Sequence, residues 1–95
     1  MTRAVRPALQ VIDFVRRLPP EPRRAARLAL KGLVHEKGDI RALEGTLAGY
    51  YRLRVGRHRI IFAYAGDGAI EVVFIEERSL VYEVFEAEFV KRIRE

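Results

Sequence analysis

The chain has no cysteine, which excludes a disulfide framework and any thiolate site. No apolar run approaches the roughly 20 residues that a membrane-spanning helix needs. Met1, Thr2 and Arg3 lead into no signal-peptide apolar core. A soluble, cytoplasmic protein without membrane attachment is therefore expected. There are two histidines, with neither paired cysteines nor a carboxylate cluster to join them, so no metal is expected. Gly45-x-x-x-Gly49 precedes a strand pattern instead of following one, which argues against a phosphate-cradling loop and leaves no cofactor implied. No internal repeat, linker or low-complexity segment is present, and no nucleophile–base pair can be read.

What the chain does have is arginine. It accounts for fifteen of the eighteen basic residues, and the net charge is +5. The charge is uneven. Residues 1–37 carry nine Lys and Arg against three acids, and residues 38–95 carry nine against ten. Guanidinium is the better bidentate partner for phosphate and carboxylate. A basic field of this kind attracts nucleic acid or an acidic protein; a merely solvated arginine-rich surface is the plainer alternative. Ninety-five residues suit one domain, expected to bury roughly 60–70% of its unfolded surface.

Residues 3–6 read as a short edge strand before Pro7. Ala8, Val11, Ile12, Val15 and Leu18 follow helical spacing, and Pro19-Pro20 ends that helix. Pro20 or Pro22 then suits the first turn of a second helix. Ala26, Ala29, Leu30, Leu33 and Val34 form its buried stripe, and Arg23, Arg24, Arg27 and Lys31 its wet face. Gly38 reads as its stop. Residues 39–49 read as a loop with one helical turn near 41–43. Strands follow over about 50–55, 58–65 and 69–76, with Gly66-Asp67-Gly68 as a turn. On the third, Ile70, Val72 and Phe74 share one side and Val73 and Ile75 the other. After Ser79, a suitable N-cap, Val81, Val84, Phe85, Phe89, Val90 and Ile93 predict a last amphipathic helix. The order (β)ααβββα predicts an α+β fold. An N-terminal helical hairpin packs on a small antiparallel sheet of three to four strands, with a C-terminal helix.

The first two strands matter most. Strand residues alternate sides. With Gly56-Arg57 as a two-residue turn of type II′, Val55 faces His58, Arg54 faces Arg59 and Arg52 faces Ile61. Tyr51, Leu53, Val55, His58, Ile60, Phe62 and Tyr64 then form one apolar side. Arg52, Arg54 and Arg59 gather on the other. Like charges directly opposite destabilise a sheet, so the patch calls for an anion, either acidic side chains or nucleic-acid phosphates. His58, on the apolar side, reads as a packed histidine, and His35 as a solvated one.

Leu43-x-Gly45, Gly49, Tyr51-Arg52-Leu53-Arg54-Val55-Gly56 and Arg59-Ile60-Ile61-Phe62 resemble the central motif of the RelE/ParE toxins of type II toxin–antitoxin systems. Arg78 and Tyr82 keep the places of the family's closing Gly-His-Arg-x-x-Val-Tyr. Glu76 and Glu77 depart from it, and Arg57 and His58 depart from the usual turn. The resemblance spans roughly residues 8–82.

It implies a ribosome-dependent, metal-independent endoribonuclease that cuts mRNA and is neutralised by a cognate antitoxin. In such members Arg52, Arg54, Arg59, Arg78 and Tyr82 would form the cleaving site. The arginines would hold the phosphate while the 2′-OH attacks it, and Tyr82 would stack on a base or supply a hydroxyl. Alternatives stay open: a ParE-like toxin that binds DNA gyrase, or a non-catalytic binding module. Arg78 could instead pair with Glu76 or Glu77, and Tyr82 could pack at a helix start. Arginine is a poor general base, and Glu76 adds negative charge to the patch.

Overall fold

A computed structural model describes residues 2–77 and Ala87. Apart from Ala87, which is helical and exposed, the expected C-terminal helix lies outside the described residues, as do Arg78 and Tyr82. The described elements are β1 (Val5–Pro7), α1 (Leu9–Arg17), α2 (Pro20–Leu33), β2 (Asp39–Ala42), a 3₁₀ turn (Gly45–Leu47), β3 (Tyr51–Val55), β4 (His58–Tyr64) and β5 (Ile70–Glu77). The five strands form one sheet in the order β1-β5-β4-β3-β2. It is α+β as expected, but larger than three to four strands and mixed, because β1 runs parallel to β5.

Pro7 closes β1 without breaking it. Ladder bonds flank it: Ile70 N–H donates to the Ala4 carbonyl and Ala8 N–H to the Val72 carbonyl, both at 2.8 Å. Pro7 falls between them on an edge strand, where its missing N–H costs little. Because β1 stops there, the outer side of β5 runs on past it. Gln10 of α1 covers Ile75: its side-chain amide donates to the Ile75 carbonyl at 2.8 Å, and its Oε1 accepts from the Ile75 N–H at 3.1 Å.

Pro19 precedes α2 and Pro20 opens it, where a fixed φ and an absent donor suit the first turn. The end of α2 differs from expectation. Glu36, at φ 54, takes the left-handed position, and Gly38 lies beyond it. Glu36 N–H donates to the Leu33 carbonyl at 2.9 Å and Lys37 N–H to the Gly32 carbonyl at 3.0 Å, the paired bonds of a Schellman end. Gly38 is needed for another reason: it has φ 130, and a Cβ there would come 2.5 Å from Leu53 Cδ1.

The core lies between the two helices and one sheet face. Val11, Val15, Ala26 and Leu33 cluster with Leu53, Ile60, Phe62, Ile70, Val72 and Ile75. Each large side chain so buried stabilises the fold by about 1.5–3 kcal/mol. His58 is buried on this face, with Phe14 edge-on at 5.5 Å, a packed histidine as the alternation predicts. His35 is exposed.

The β3–β4 register is the expected one, with Val55 opposite His58, Arg54 opposite Arg59 and Arg52 opposite Ile61. Gly56 has φ 58 and Arg57 has no positive φ, the sign pattern of a type II′ turn. The face assignment of β5 needs correction. A bulge shifts the β4–β5 register between Ile61 and Phe62, so two-residue alternation is broken there. Ile70, Val72 and Ile75 therefore join the main core, while Phe74, with Val73 against it, joins a second cluster on the opposite face.

The N-terminal segment is tied down by charge. Arg3 pairs with Glu36, donates to the Gly68 carbonyl at 2.8 Å and lies over the Tyr64 ring. Arg6 reaches both carboxylate oxygens of Asp67 at 3.2 Å. The Ala69 N–H, and then Arg6, hold the Asp67 carboxyl below its ordinary value.

Two substitutions test this frame by urea unfolding. Gln10→Ala strands a donor and an acceptor of β5 and is expected to cost about 1–3 kcal/mol. Gly38→Ala is expected to cost about 1–3 kcal/mol and more than Gly45→Ala, because a Cβ on Gly45 meets nothing within 4 Å.

Candidate functional site

The sheet face turned away from the helices is built by alternation from β2 to β5. Two cross-strand rows define it. Glu76, Arg59, Arg54 and Asp39 follow one another from β5 to β2. Phe74, Ile61, Arg52 and Arg41 form the next row. Residues 43–50 fold over the apolar end of the face. Leu47 packs with Ile61 and Phe74, and Leu43, Tyr50 and Val73 lie against them.

The expected cationic group is thus assembled on one face, but its members differ. Arg54 is exposed and Arg59 half-buried. Arg52 is only 7% exposed. One of its Nη atoms lies 3.4 Å from the Asp39 carboxylate and donates to the Asp39 carbonyl at 3.4 Å. The three arginines share the face as expected, but Arg52 is held by an acid of its own chain. The reason is β2. Residues 39–42 form a strand, where a loop with a helical turn was expected, and this brings Asp39 and Arg41 onto the face opposite Arg54 and Arg52.

Electrostatically the first row is self-limiting. Arg54 and Arg59 repel across the ladder, yet an acid closes each end of the row. Among the described residues Arg41 and Arg54 make no ion pair. Tyr50 has its pKa raised, first by burial and then by the Glu71 charge. Its hydroxyl is therefore a proton donor near neutral pH, not a base. No group of three or more metal-ligating side chains occurs among the described residues, and none of the described helices is long and apolar enough to cross a membrane.

Two residues of this face escaped the sequence reading, Asp39 and Arg41. The signal was the alternation Asp39-Ile40-Arg41, in which Ile40 packs on the main core. Its brevity between Gly38 and Gly45 hid it. Arg78 and Tyr82 fall outside the described residues; the described part of the candidate face is Arg52, Arg54 and Arg59 together with Asp39 and Arg41.

No protein-family model matches the chain, and no curated protein matches it. Solved structures do. A chain of the archaeal RelE–RelB complex from Pyrococcus horikoshii OT3 is 30% identical, with a TM-score of 0.64; the match covers 82% of this chain and 97% of that one. The RelB–RelE antitoxin–toxin complex from Methanococcus jannaschii gives 25% identity and a TM-score of 0.66, over 84% and 98%. The toxin–antitoxin complex RelBE2 from Mycobacterium tuberculosis, at 17% identity and a TM-score of 0.64 over 82% and 100%, shares the fold.

The different settings of two arginines make a prediction about stability. Arg52→Ala removes a buried, paired guanidinium and is expected to lower stability by about 1–2 kcal/mol. Arg54→Ala is expected to stay within about 0.5 kcal/mol of wild type. Chemical denaturation of both variants measures the difference.

Proposed function

The chain belongs to the RelE family of toxins, and from that premise we propose that it is the toxin of a type II toxin–antitoxin pair. In this reading it arrests translation by cutting mRNA on the ribosome and is held silent by a cognate antitoxin. The observation that carries the reading is the pairing of Arg54 with Arg59 on the face away from the helices, with Arg54 exposed and without an ion pair among the described residues.

The chemistry follows from what guanidinium does. Two fixed cations hold a phosphodiester and stabilise the charge that grows on its oxygens as the adjacent 2′-OH attacks. The 2′-O–P bond forms, the P–O5′ bond breaks, and the products are a 2′,3′-cyclic phosphate and a free 5′-hydroxyl. The 2′-OH gives up its proton and the leaving oxygen takes one. No described residue of the patch serves as the base: arginine stays protonated, Tyr50 is held protonated, and His58 lies on the core face. Arg52 acts from beneath, adding positive potential while Asp39 fixes its direction. Arg78 and Tyr82 complete the proposed set by family resemblance. The antitoxin supplies the opposite charge: an acidic segment laid over this face satisfies the same arginines and shuts out RNA.

One observation favours a second reading, a toxin that acts by binding alone, for instance on DNA gyrase. Asp39 and Glu76 already offset part of the arginine charge, which weakens a grip on phosphate.

Inducible expression separates the two readings. Primer extension should reveal new mRNA ends within codons, and Arg54→Ala or Arg59→Ala should reduce cleavage about 100-fold, the loss typical of one stabilising donor, while circular dichroism stays native. Intact transcripts alongside inhibited gyrase supercoiling would replace the cleavage reading with the second.

A further inference from the structure

We propose that Arg41 forms a second phosphate subsite at the edge of the sheet, holding the RNA backbone next to the phosphate gripped by Arg54 and Arg59. The inference rests on the RNA reading above and deepens it by giving the site a direction across the strands.

β2 is the terminal strand of the sheet, and Arg41 is exposed on it. Arg41 stands directly opposite Arg52, an arrangement of like charges that a sheet resists. Asp39, two residues before Arg41 on β2 and opposite Arg54, has its carboxylate on Arg52. Arg41 makes no ion pair among the described residues, so its charge is offered outward. Arg54 pairs with Asp39 in register, so Arg41 is its diagonal neighbour, about 7–8 Å away between backbones. Arg59, Arg54 and Arg41 thus step across three strands, each on a rigid backbone. A single RNA strand presents its charges in the same way, as a row of separated points.

The apolar end of the face supports a nucleic-acid strand over an acidic peptide. Leu43, Leu47 and Tyr50 lie beside the arginines on the same side of the sheet. A cationic track beside an aromatic and aliphatic shelf is the arrangement that holds single strands, phosphates on one and bases on the other.

The test uses the full chain and ribosomes programmed with an mRNA bearing one neutral methylphosphonate linkage adjacent to the cut, placed on either side in turn. Arg41→Ala is expected to raise the half-saturating toxin concentration about five- to tenfold, with a smaller effect on the maximal rate, and to reduce the slope of log affinity against log salt by about one. Arg41→Lys, which keeps the charge, is expected to restore most of the loss. On one of the two mRNAs the neutral linkage should penalise wild type but not Arg41→Ala, because the partner of that phosphate is already gone. If Arg54→Ala impairs cleavage and Arg41→Ala matches wild type on every mRNA, the subsite is wrong and the RNA reading stands. If Arg54→Ala and Arg59→Ala also cut normally, the RNA reading itself fails. If Arg41→Ala weakens only inhibition by the antitoxin, the arginine serves a protein partner and the proposal is overturned.

Discussion

The two-residue turn at Gly56-Arg57 fixes the register of β3 against β4, and that register decides which residues meet the core and which meet the outside. A slip of one residue would exchange the faces. If β3 slipped, Leu53 would leave the helices and Arg52 and Arg54 would be driven into an apolar interior at a cost no ion pair there could offset. The hydrophobic side therefore holds the arginines in place. Tyr51 stacks on Phe62 at 5.5 Å and Tyr64 meets both rings edge-on, which strengthens the register from the core side. The charged face is a consequence of packing on the other side of the same strands.

On that face the chain balances two demands. Arginines close enough to share a phosphate repel one another before it arrives. Burying Arg52 against Asp39 takes one arginine off the surface and offsets its charge with an acid. Placing Glu76 opposite Arg59 and Asp39 opposite Arg54 puts an acid at each end of the row. The patch is consequently less positive than its arginine count suggests. The same acids make phosphate binding weaker, which under the proposed reading would suit a substrate presented by a much larger assembly at high effective concentration.

The parts legible in the sequence were those set by local rules. Turn chemistry at Gly56-Arg57 and period-two alternation gave the hairpin, its register and the side on which His58 packs. Helical spacing and the prolines gave α1 and α2. What escaped depends on partners distant in the chain. β2 is four residues long and becomes a strand only because β3 lies beside it. The bulge in β5 cannot be read from Val72-Val73-Phe74, where apolar residues suit either face. β1 is parallel to a strand more than sixty residues away, and Gln10 looks like an ordinary helical polar residue until β5 runs past the end of β1. At the candidate site, Arg52, Arg54 and Arg59 were legible as a group. The burial of Arg52 is not legible there, because nothing local in the sequence places Asp39 on a strand beside it.

The distribution of charge bears on how such a protein is kept quiet. The helices carry Arg16, Arg17, Arg24, Arg27 and Lys31 at exposed positions, on the layer opposite the sheet arginines. A helix about 10 Å across and the sheet itself lie between the two surfaces, more than the roughly 8 Å over which physiological salt screens charge. Each surface therefore attracts polyanions almost independently of the other. An acidic partner confined to the sheet face would block the proposed phosphate contacts yet leave the helical face free to hold nucleic acid. Only a partner long enough to pass from one layer to the other neutralises both. Under the proposed reading, this arrangement would favour neutralisation by an extended chain that gains its structure on the surface it covers over neutralisation by a compact domain seated on one side.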